Sequence, residues 1–518
     1  MDENAIRQWL IDCFGPIQGE MAWNQLSNMP EAVRDQLMSQ DPSTLPKPEE
    51  VKSMMQAFTA GGLNTMGDMQ QAVEQGPINI KLAKSLALQQ ANGAGSDSSV
   101  NAETGEIARR AISEANLWLD TACEFNPAQG ETQLLTRAGW VEDTIDAWAQ
   151  FASPVAESMN DALASILSQR FGDGEIQTEI SGVFAGPIEI PIPDEMKNPA
   201  KLMRFVGNTS FAMQLGRAAG DLSHEVRGSF DQGIALLKNP AGGLIVQNVT
   251  EYAKSLDIDV NEVIGYLALQ ELAHARLFAS VPWLMPRFEA LLGKYARGIT
   301  IDMDAMEEQI REAESIDPDS MASAVNITKV AFPDTPEQKQ AMKALENLLA
   351  LVEGWVDAVV WRAGMAHIPH IEQLREMLRR ERAIGGPAER TFESLMGMQL
   401  RPKRMREAAA LWESIGAQEG PEARDAKWSH PDLLPQPPLP VRNRPRRNRI
   451  FRTASIGMPN CPSCSTRKST RAMTPMARTT PTVQMTPAIR TLPATRSHRK
   501  KRDFLRPRSD PSSSRARA

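Results

Sequence analysis

The chain has 518 residues, of which 42% are hydrophobic and 23% are charged, and its formal net charge is −7. This length and composition supply a sizeable core and favour more than one domain. No apolar run approaches the roughly 18 residues of a membrane span, and the start Met1-Asp-Glu-Asn lacks the basic residues of a signal peptide. The chain has four cysteines, too few for a disulfide framework at this length. We therefore expect a cytoplasmic protein with no membrane partner.

Residues 1–100 combine short helical patterns with chain breakers. Apolar residues recur at helical spacing in 5–14 and again in 76–87, where a Gly-Pro turn precedes the second pattern. Residues 91–99 consist of Gly, Ser, Asn, Asp and Ala, a composition typical of flexible linkers. We predict that 1–100 is a loosely structured helical region followed by a linker.

From residue 101 to about residue 430 the pattern is mostly helical. Residues 107–122 and 139–151 have the apolar periodicity of amphipathic helices. The main β signal is 175–193, which alternates in places and is broken by Gly and Pro, and a second candidate strand is 243–249. The predicted fold class is mainly α, with a small β-hairpin or edge-strand element in an α+β arrangement.

Two glycines four residues apart, Gly216 and Gly220, indicate a close helix contact. In a membrane this spacing is typical of a helix dimer. Because Arg217 lies between them in a chain without a membrane span, we predict close packing of two helices inside the protein.

The clearest helical pattern covers residues 259–284. Asp259 is a typical N-cap residue, Glu262 follows three residues later as in a capping box, and Pro282 is expected to stop the helix. Between these ends, five residues recur at spacings of three and four and therefore share one face. They are Ile264, Leu267, Glu271, His274 and Phe278. A carboxylate and an imidazole thus interrupt an apolar face.

This carboxylate and imidazole predict a functional site. A carboxylate that faces a core must be paired, hydrogen-bonded or bound to a cation, because an unsatisfied buried polar group is costly. Glu271 and His274 are one helical turn apart and Gln270 lies on the same side, so the three residues can serve one site. The run Gln270-Glu-Leu-Ala-His274 differs by one residue from His-Glu-x-x-His, in which two histidines bind zinc and the glutamate activates water.

Longer blocks around this motif carry a family resemblance. The blocks are 270–278, 281–284, 353–360, 385–392 and 400–408. With them the chain resembles the actinobacterial zincin-like family, whose members are labelled hydrolases or zinc-dependent metalloproteases and whose sister branch is associated with coenzyme F420 biosynthesis. The similarity extends from about residue 76 to about residue 435. It implies a zincin-like metalloprotease fold for residues 101–430, zinc as the cofactor, and peptide or protein substrates.

The resemblance also implies a set of site residues. Glu271 matches the catalytic glutamate, His274 matches the second zinc-binding histidine, and Glu353 is the candidate for a metal ligand from a later helix. Gln270 stands where the first histidine is expected, and an amide oxygen is a poor zinc ligand. A full ligand set therefore needs Gln270 or a more distant residue. The distant candidates are His224, His367 and His370.

Two functions remain open from the sequence. In the first, the chain is a zinc-dependent hydrolase of the metallopeptidase type, in which Glu271 is the general base and His274 and Glu353 hold the metal. In the second, the chain is a metal-free zincin-like pseudoenzyme that acts as a binding or scaffolding protein, and Glu271 and His274 form a buried hydrogen-bonded pair. The resemblance favours the first hypothesis, and the glutamine at position 270 favours the second.

Residues 431–518 differ in composition from the rest of the chain. Residues 437–518 contain 20 Lys or Arg and two acidic residues, are rich in Ser, Thr and Pro, and lack apolar periodicity. We predict a disordered basic tail. The abrupt change near Gln436 points to a frameshift, and nucleic-acid binding by the tail is a less favoured third hypothesis. Cys461 and Cys464 have the spacing of a zinc knuckle but lack a second pair of ligands.

Overall fold

The computed structural model describes residues 3–27, 74–93, 101–171, 199–299 and 335–436, with the short stretches 47–48, 51–52 and 59–61 and the single residues 56 and 71. The predicted hairpin at 175–193, most of the predicted linker at 91–99 and the tail beyond residue 436 lie outside the described residues.

Within these residues the protein is mainly α-helical, as the sequence predicts. The helices of the first half are α1 (Glu3–Phe14), α2 (Pro16–Ser27), α3 (Ile80–Asn92), α4 (Ala102–Leu119), α5 (Arg137–Phe171) and α6 (Pro199–Ser223). The helices of the second half are α7 (Val246–Leu256), α8 (Val260–Ser280), α9 (Leu284–Ala296), α10 (Pro336–Gly364), α11 (Ile371–Ile384), α12 (Pro387–Met396) and α13 (Met405–Ala426). No helix among the described residues combines the length and apolar character needed to cross a bilayer.

A two-stranded parallel sheet joins distant parts of the chain. Strand β1 (Gln133–Leu135) pairs with β2 (Gly243–Ile245). The strand expected over 243–249 therefore stops at Ile245, and the rest of that segment begins α7. The physical reason is that Val246, Val249 and Ala253 are buried at helical spacing, which a strand could not achieve.

The motif helix α8 begins where the sequence predicts, but its start is stabilised differently. The Asp259 side chain accepts a hydrogen bond from the backbone N–H of Asn261 and so caps the helix. The capping box expected from Glu262 is wrong. The Glu262 carboxylate instead accepts the backbone N–H of His370 at the start of α11, where the helix dipole favours a negative charge.

Helices α8 and α10 form the centre of the core. Residues 263–277 of α8 and 348–360 of α10 are buried without interruption. Such helices are enclosed on all sides and not along one stripe only. Helix α8 packs directly against α10. Polar side chains on these two helices must therefore be satisfied within the protein.

Helices α3 and α6 pack closely at the two glycines. A Cβ atom added at Gly216 would lie 2.7 Å from the Leu86 Cβ, and one added at Gly220 would lie 2.4 Å from the Gln90 Cβ. The predicted close helix contact is thus confirmed. Helix α3, which precedes the expected boundary at residue 100, belongs to the same hydrophobic core as the helices after it.

Candidate functional site

Three polar residues of α8 lie in the interior. Gln270, Glu271 and His274 are 7%, 3% and 1% exposed. The loop 224–242 connects α6 to β2, and its residues line the same small cavity as these three side chains. The structure therefore brings the predicted motif residues together beneath this loop.

The Glu271 carboxylate holds the loop against β2. Its Oε1 accepts hydrogen bonds from the Ser229 backbone N–H at 3.0 Å, from the Ser229 hydroxyl, and from the Gly243 backbone N–H at 2.7 Å. Its Oε2 accepts the Phe230 backbone N–H at 3.3 Å. Four donors from two chain segments thus converge on one carboxylate.

Two glycines allow the backbone to approach Glu271 this closely. A Cβ atom at Gly228 would lie 2.3 Å from Oε2, and one at Gly242 would lie 2.5 Å from Oε1. Gly242 also has a φ of +74°, a conformation that other residues rarely adopt. The cradle around the carboxylate therefore depends on glycine at both positions.

Burial and hydrogen bonding act on Glu271 in opposite directions. Burial raises the pKa of Glu271 to about 7, while the hydrogen bonds from Ser229 and Gly243 act to lower it. The buried Glu271–His274 hydrogen bond of the second hypothesis does not form. The carboxylate bonds to the loop and β2, whereas the imidazole bonds to its own helix and lies beside α10.

Glu271→Gln is expected to lower the free energy of unfolding by about 1–3 kcal/mol. The amide oxygen can still accept hydrogen bonds from Ser229 and Gly243. The amide NH₂ group then faces the backbone N–H of Phe230, and two donors cannot form a hydrogen bond with each other. Chemical denaturation measures the loss, with Glu106→Gln at an exposed position of α4 as the matched control. Equal stability of the two variants would contradict the anchoring role of Glu271.

His274 has a defined tautomer at Nδ1. This nitrogen lies 2.8 Å from the backbone carbonyl oxygen of Gln270. A carbonyl oxygen only accepts, so Nδ1 carries the proton and donates. The other nitrogen, Nε2, lies 3.4 Å from Oε1 of Glu353, and the Phe230 ring stacks on the imidazole with centroids 5.6 Å apart. His274 is thus held between α10 and the loop.

Glu353 has a second neighbour that the sequence did not indicate. Its side chain is 0% exposed, and its Oε1 lies 2.9 Å from the guanidinium of Arg382 on α11. The same guanidinium donates to the backbone carbonyl oxygen of Asp231 at 3.2 Å. Arg382 therefore links Glu353 to the loop and provides a cation for the buried carboxylate.

A second buried ion pair positions Arg382. Asp357 lies one turn after Glu353 on α10, is 1% exposed and accepts from Arg375 and Arg379 of α11. Glu353 and Asp357, four residues apart on α10, thus both pair with arginines that lie on one face of α11. This contact fixes the register of α11 and places Arg382 at Glu353.

Two acceptor atoms at the site have no hydrogen-bond partner among the described residues. They are Oε1 of Gln270 and Oε2 of Glu353. The amide nitrogen of Gln270 donates to the Tyr266 hydroxyl at 3.1 Å. The cavity beside His274 has a volume of ≈ 10 Å³, which is about the space that one water molecule needs.

The distant histidines lie away from the site. His224 contacts the backbone carbonyl of Gln90, the His367 ring stacks on Trp118, and His370 lies 3.1 Å from Glu262. None of the three lines the cavity beside His274. They therefore add no ligand to His274 and Glu353.

The side chains at this position do not fit a zinc ion. A catalytic zinc takes three protein ligands, drawn from His, Cys, Asp and Glu. In the part of the chain that the structure describes, no group of three such side chains is placed to hold a metal. Gln270 offers an amide, and the remaining neighbour of Glu353 is itself a cation, Arg382.

The enclosed motif helix, with Glu271 and His274 at the zincin spacing and Glu353 on the adjacent central helix, defines a protein of the zincin-related class. The chain belongs to the zincin-like metallopeptidase family, whose sequence model matches residues 78–438. This match confirms the resemblance to a zincin-like family over most of the chain, and it does not test the actinobacterial origin or the link to coenzyme F420.

One solved structure similar to this chain comes from Chloroflexus aurantiacus and is described as a hydrolase candidate with a novel fold. The identity is 17%, the alignment covers 68% of this chain and 92% of that chain, and the TM-score is 0.44. No curated protein matches the chain.

Proposed function

We propose that the chain is a metal-free member of its family, which binds a ligand and does not hydrolyse peptides through a zinc-bound water. The observation that carries this proposal is the ion pair between Arg382 and the fully buried Glu353. A guanidinium stays charged at all physiological pH values. Arg382 thus supplies the positive charge that a buried carboxylate requires, and Glu353 needs no metal for stability.

The same arginine disfavours a zinc ion on Glu353. Two unit charges about 4 Å apart interact by roughly 4 kcal/mol at an effective dielectric constant of 20, and a divalent ion doubles this repulsion. Gln270 offsets little of it, because its amide is neutral and a poor zinc ligand. Two protein ligands beside a fixed cation are a weak zinc site.

The contacts of Glu271 also support the proposal. A general base must reach the proton that it removes. Both oxygens of Glu271 are engaged by the loop and β2, which donate four hydrogen bonds to them. We assign Glu271 the role of anchor for the loop 224–242.

The second candidate is the zinc-dependent hydrolase with peptide substrates. One observation favours it, which is that Oε1 of Gln270 and Oε2 of Glu353 are buried acceptors without a donor. In this candidate Gln270, His274 and Glu353 would hold the metal, which would supply Lewis-acid chemistry there. The zinc site would then have to form beside Arg382.

Calorimetric titration of the full chain with zinc chloride tests the proposal. We expect no stoichiometric uptake by the wild type and about one equivalent by the double variant Gln270→His/Arg382→Met, which restores a third ligand and removes the cation. Circular dichroism monitors the folding of each protein. Uptake of about one equivalent by the wild type, lost in His274→Ala, overturns the proposal.

A further inference from the structure

A cleft lies next to the buried site. Asp231, Leu378 and Arg382 line both this cleft and the cavity beside His274, and Gln232 of the loop lines the cleft alone. The cleft has a volume of ≈ 70 Å³, whereas pockets for drug-sized ligands measure about 300 Å³ or more. It therefore suits a small molecule or a small head group.

Gln232 is the residue that indicates a ligand. Its side chain is 2% exposed, and neither its amide oxygen nor its amide nitrogen has a hydrogen-bond partner among the described residues. Folded proteins seldom leave both ends of a buried amide unpaired, because each end loses its hydrogen bonds to water. Nε of Arg382 is also without a hydrogen-bond partner in the described chain. Nε of Arg227 and Nε of Arg401, which also line the cleft, lack a hydrogen-bond partner in this part of the chain too, but they lie 3.5 and 3.6 Å from the carboxylates of Asp231 and Glu389. Apart from these two, the cleft presents one unused acceptor and two unused donor groups, on Gln232 and Arg382.

The charges of the cleft favour a neutral ligand. Every charged side chain that lines it has an ion-pair partner of opposite sign. The pairs are Arg227 with Asp231 and Glu381, Arg382 with Glu353, Arg390 with Glu225, and Arg401 with Glu389. An anionic or cationic ligand would have to displace one of these partners. Recognition is therefore left to the uncharged amide of Gln232 and to the unused Nε–H of Arg382.

The remaining walls of the cleft are apolar. They include Leu222, Val226, Leu349, Phe392 and Leu400. An aliphatic group bound there would be removed from water and would add affinity without needing polar partners. The ligand is thus expected to have one polar head and a short apolar body.

We propose that this cleft binds an uncharged carboxamide with a short aliphatic chain. An amide complements Gln232 at both ends: the ligand N–H donates to Oε1 of Gln232, and the ligand carbonyl oxygen accepts from Nε2. Nε–H of Arg382 donates to the same carbonyl oxygen. The inference rests on the proposed function only in that Arg382 remains a fixed donor beside Glu353.

The test uses 4-methylpentanamide as the probe and 4-methylpentanoate as its charged counterpart. Saturation-transfer NMR on the full chain is expected to show binding of the amide, with the carboxylate at least about tenfold weaker, because the carboxylate has no donor for Oε1 of Gln232. Gln232→Met should abolish this preference. Gln418→Met, at an exposed position on α13, is the matched control and should retain it.

Thermal stability without ligand separates the site from a merely structural role of Gln232. Because Gln232→Met removes two unpaired polar atoms, we expect an unchanged or higher Tm. The inference is overturned if the wild type binds neither probe, if it binds both equally, or if Gln232→Met binds the amide as well as the wild type does. If Gln232→Met lowers the Tm and the wild type does not bind the amide, ordered water satisfies Gln232 and the inference is overturned. If the wild type takes up zinc and also binds the amide, only the metal-free proposal is contradicted.

Discussion

Arg382→Met is expected to lower the free energy of unfolding by about 3–5 kcal/mol, because it leaves the buried Glu353 carboxylate without its cation. Methionine keeps an unbranched apolar stem but lacks the guanidinium, so the loss reports the charge and its contacts more than the packing of the stem. His274 at 3.4 Å is the only other described side chain paired with this carboxylate, and it offsets the charge only when protonated. Urea denaturation of the full chain measures the effect.

The control for this prediction is Arg390→Met, which removes an exposed guanidinium from its pair with Glu225 on the surface and is expected to leave stability within error of the wild type. The double variant Arg382→Met/Glu353→Gln should recover much of the loss, since no unpaired charge is then buried. A single variant as stable as Arg390→Met would contradict the pairing of Arg382 with Glu353.

Asp357→Ala is the second variant with a large expected effect, a loss of about 3–5 kcal/mol. Asp357 is 1% exposed and holds both Arg375 and Arg379, so its removal leaves two arginines of α11 without their shared partner. Because this contact fixes the register of α11, the variant should also weaken the pairing of Arg382 with Glu353. Denaturation of the single and double variants of Asp357 and Arg382 measures the coupling.

Glu376→Ala is the matched control for Asp357. Glu376 also pairs with two arginines, Arg380 and Arg406. It lies on the surface of α11, where the water and ions of the solvent screen the pair. We expect no measurable loss from Glu376→Ala. If both variants lose a similar free energy of unfolding, the burial of Asp357 does not determine how much it contributes to stability.

The sequence alone predicted the buried residues of the site but not its charge balance. The spacing of Glu271 and His274 on a helix with apolar neighbours predicted that both are buried. The apolar sequence around Glu353 predicted that this residue of α10 is buried as well. Arg382 was missed, because helical periodicity shows which residues of α11 share a face and not which helix that face meets. The available signal was a match between two helices. Arg375, Arg379 and Arg382 recur at spacings of four and three on α11, and Glu353 and Asp357 are four residues apart on α10.

The role of Glu271 was also beyond sequence analysis. Three of its four donors are backbone N–H groups, those of Ser229, Phe230 and Gly243, which any residue type except proline can supply. Gly228 and Gly242 in the loop are the residues that this contact requires, but glycine occurs in loops for many reasons and does not identify the contact. Likewise, the three-residue strand β1 is too short for a period-two pattern to identify it.

The measurement that tests the metal-free site most directly is diffraction from crystals of the full chain grown with zinc, recorded at the zinc absorption edge. We predict no anomalous peak next to Nε2 of His274, and electron density for the Arg382 guanidinium against Glu353. A peak at about 2.1 Å from both His274 and Glu353, with Arg382 displaced, would contradict this account and identify the chain as a zinc protein.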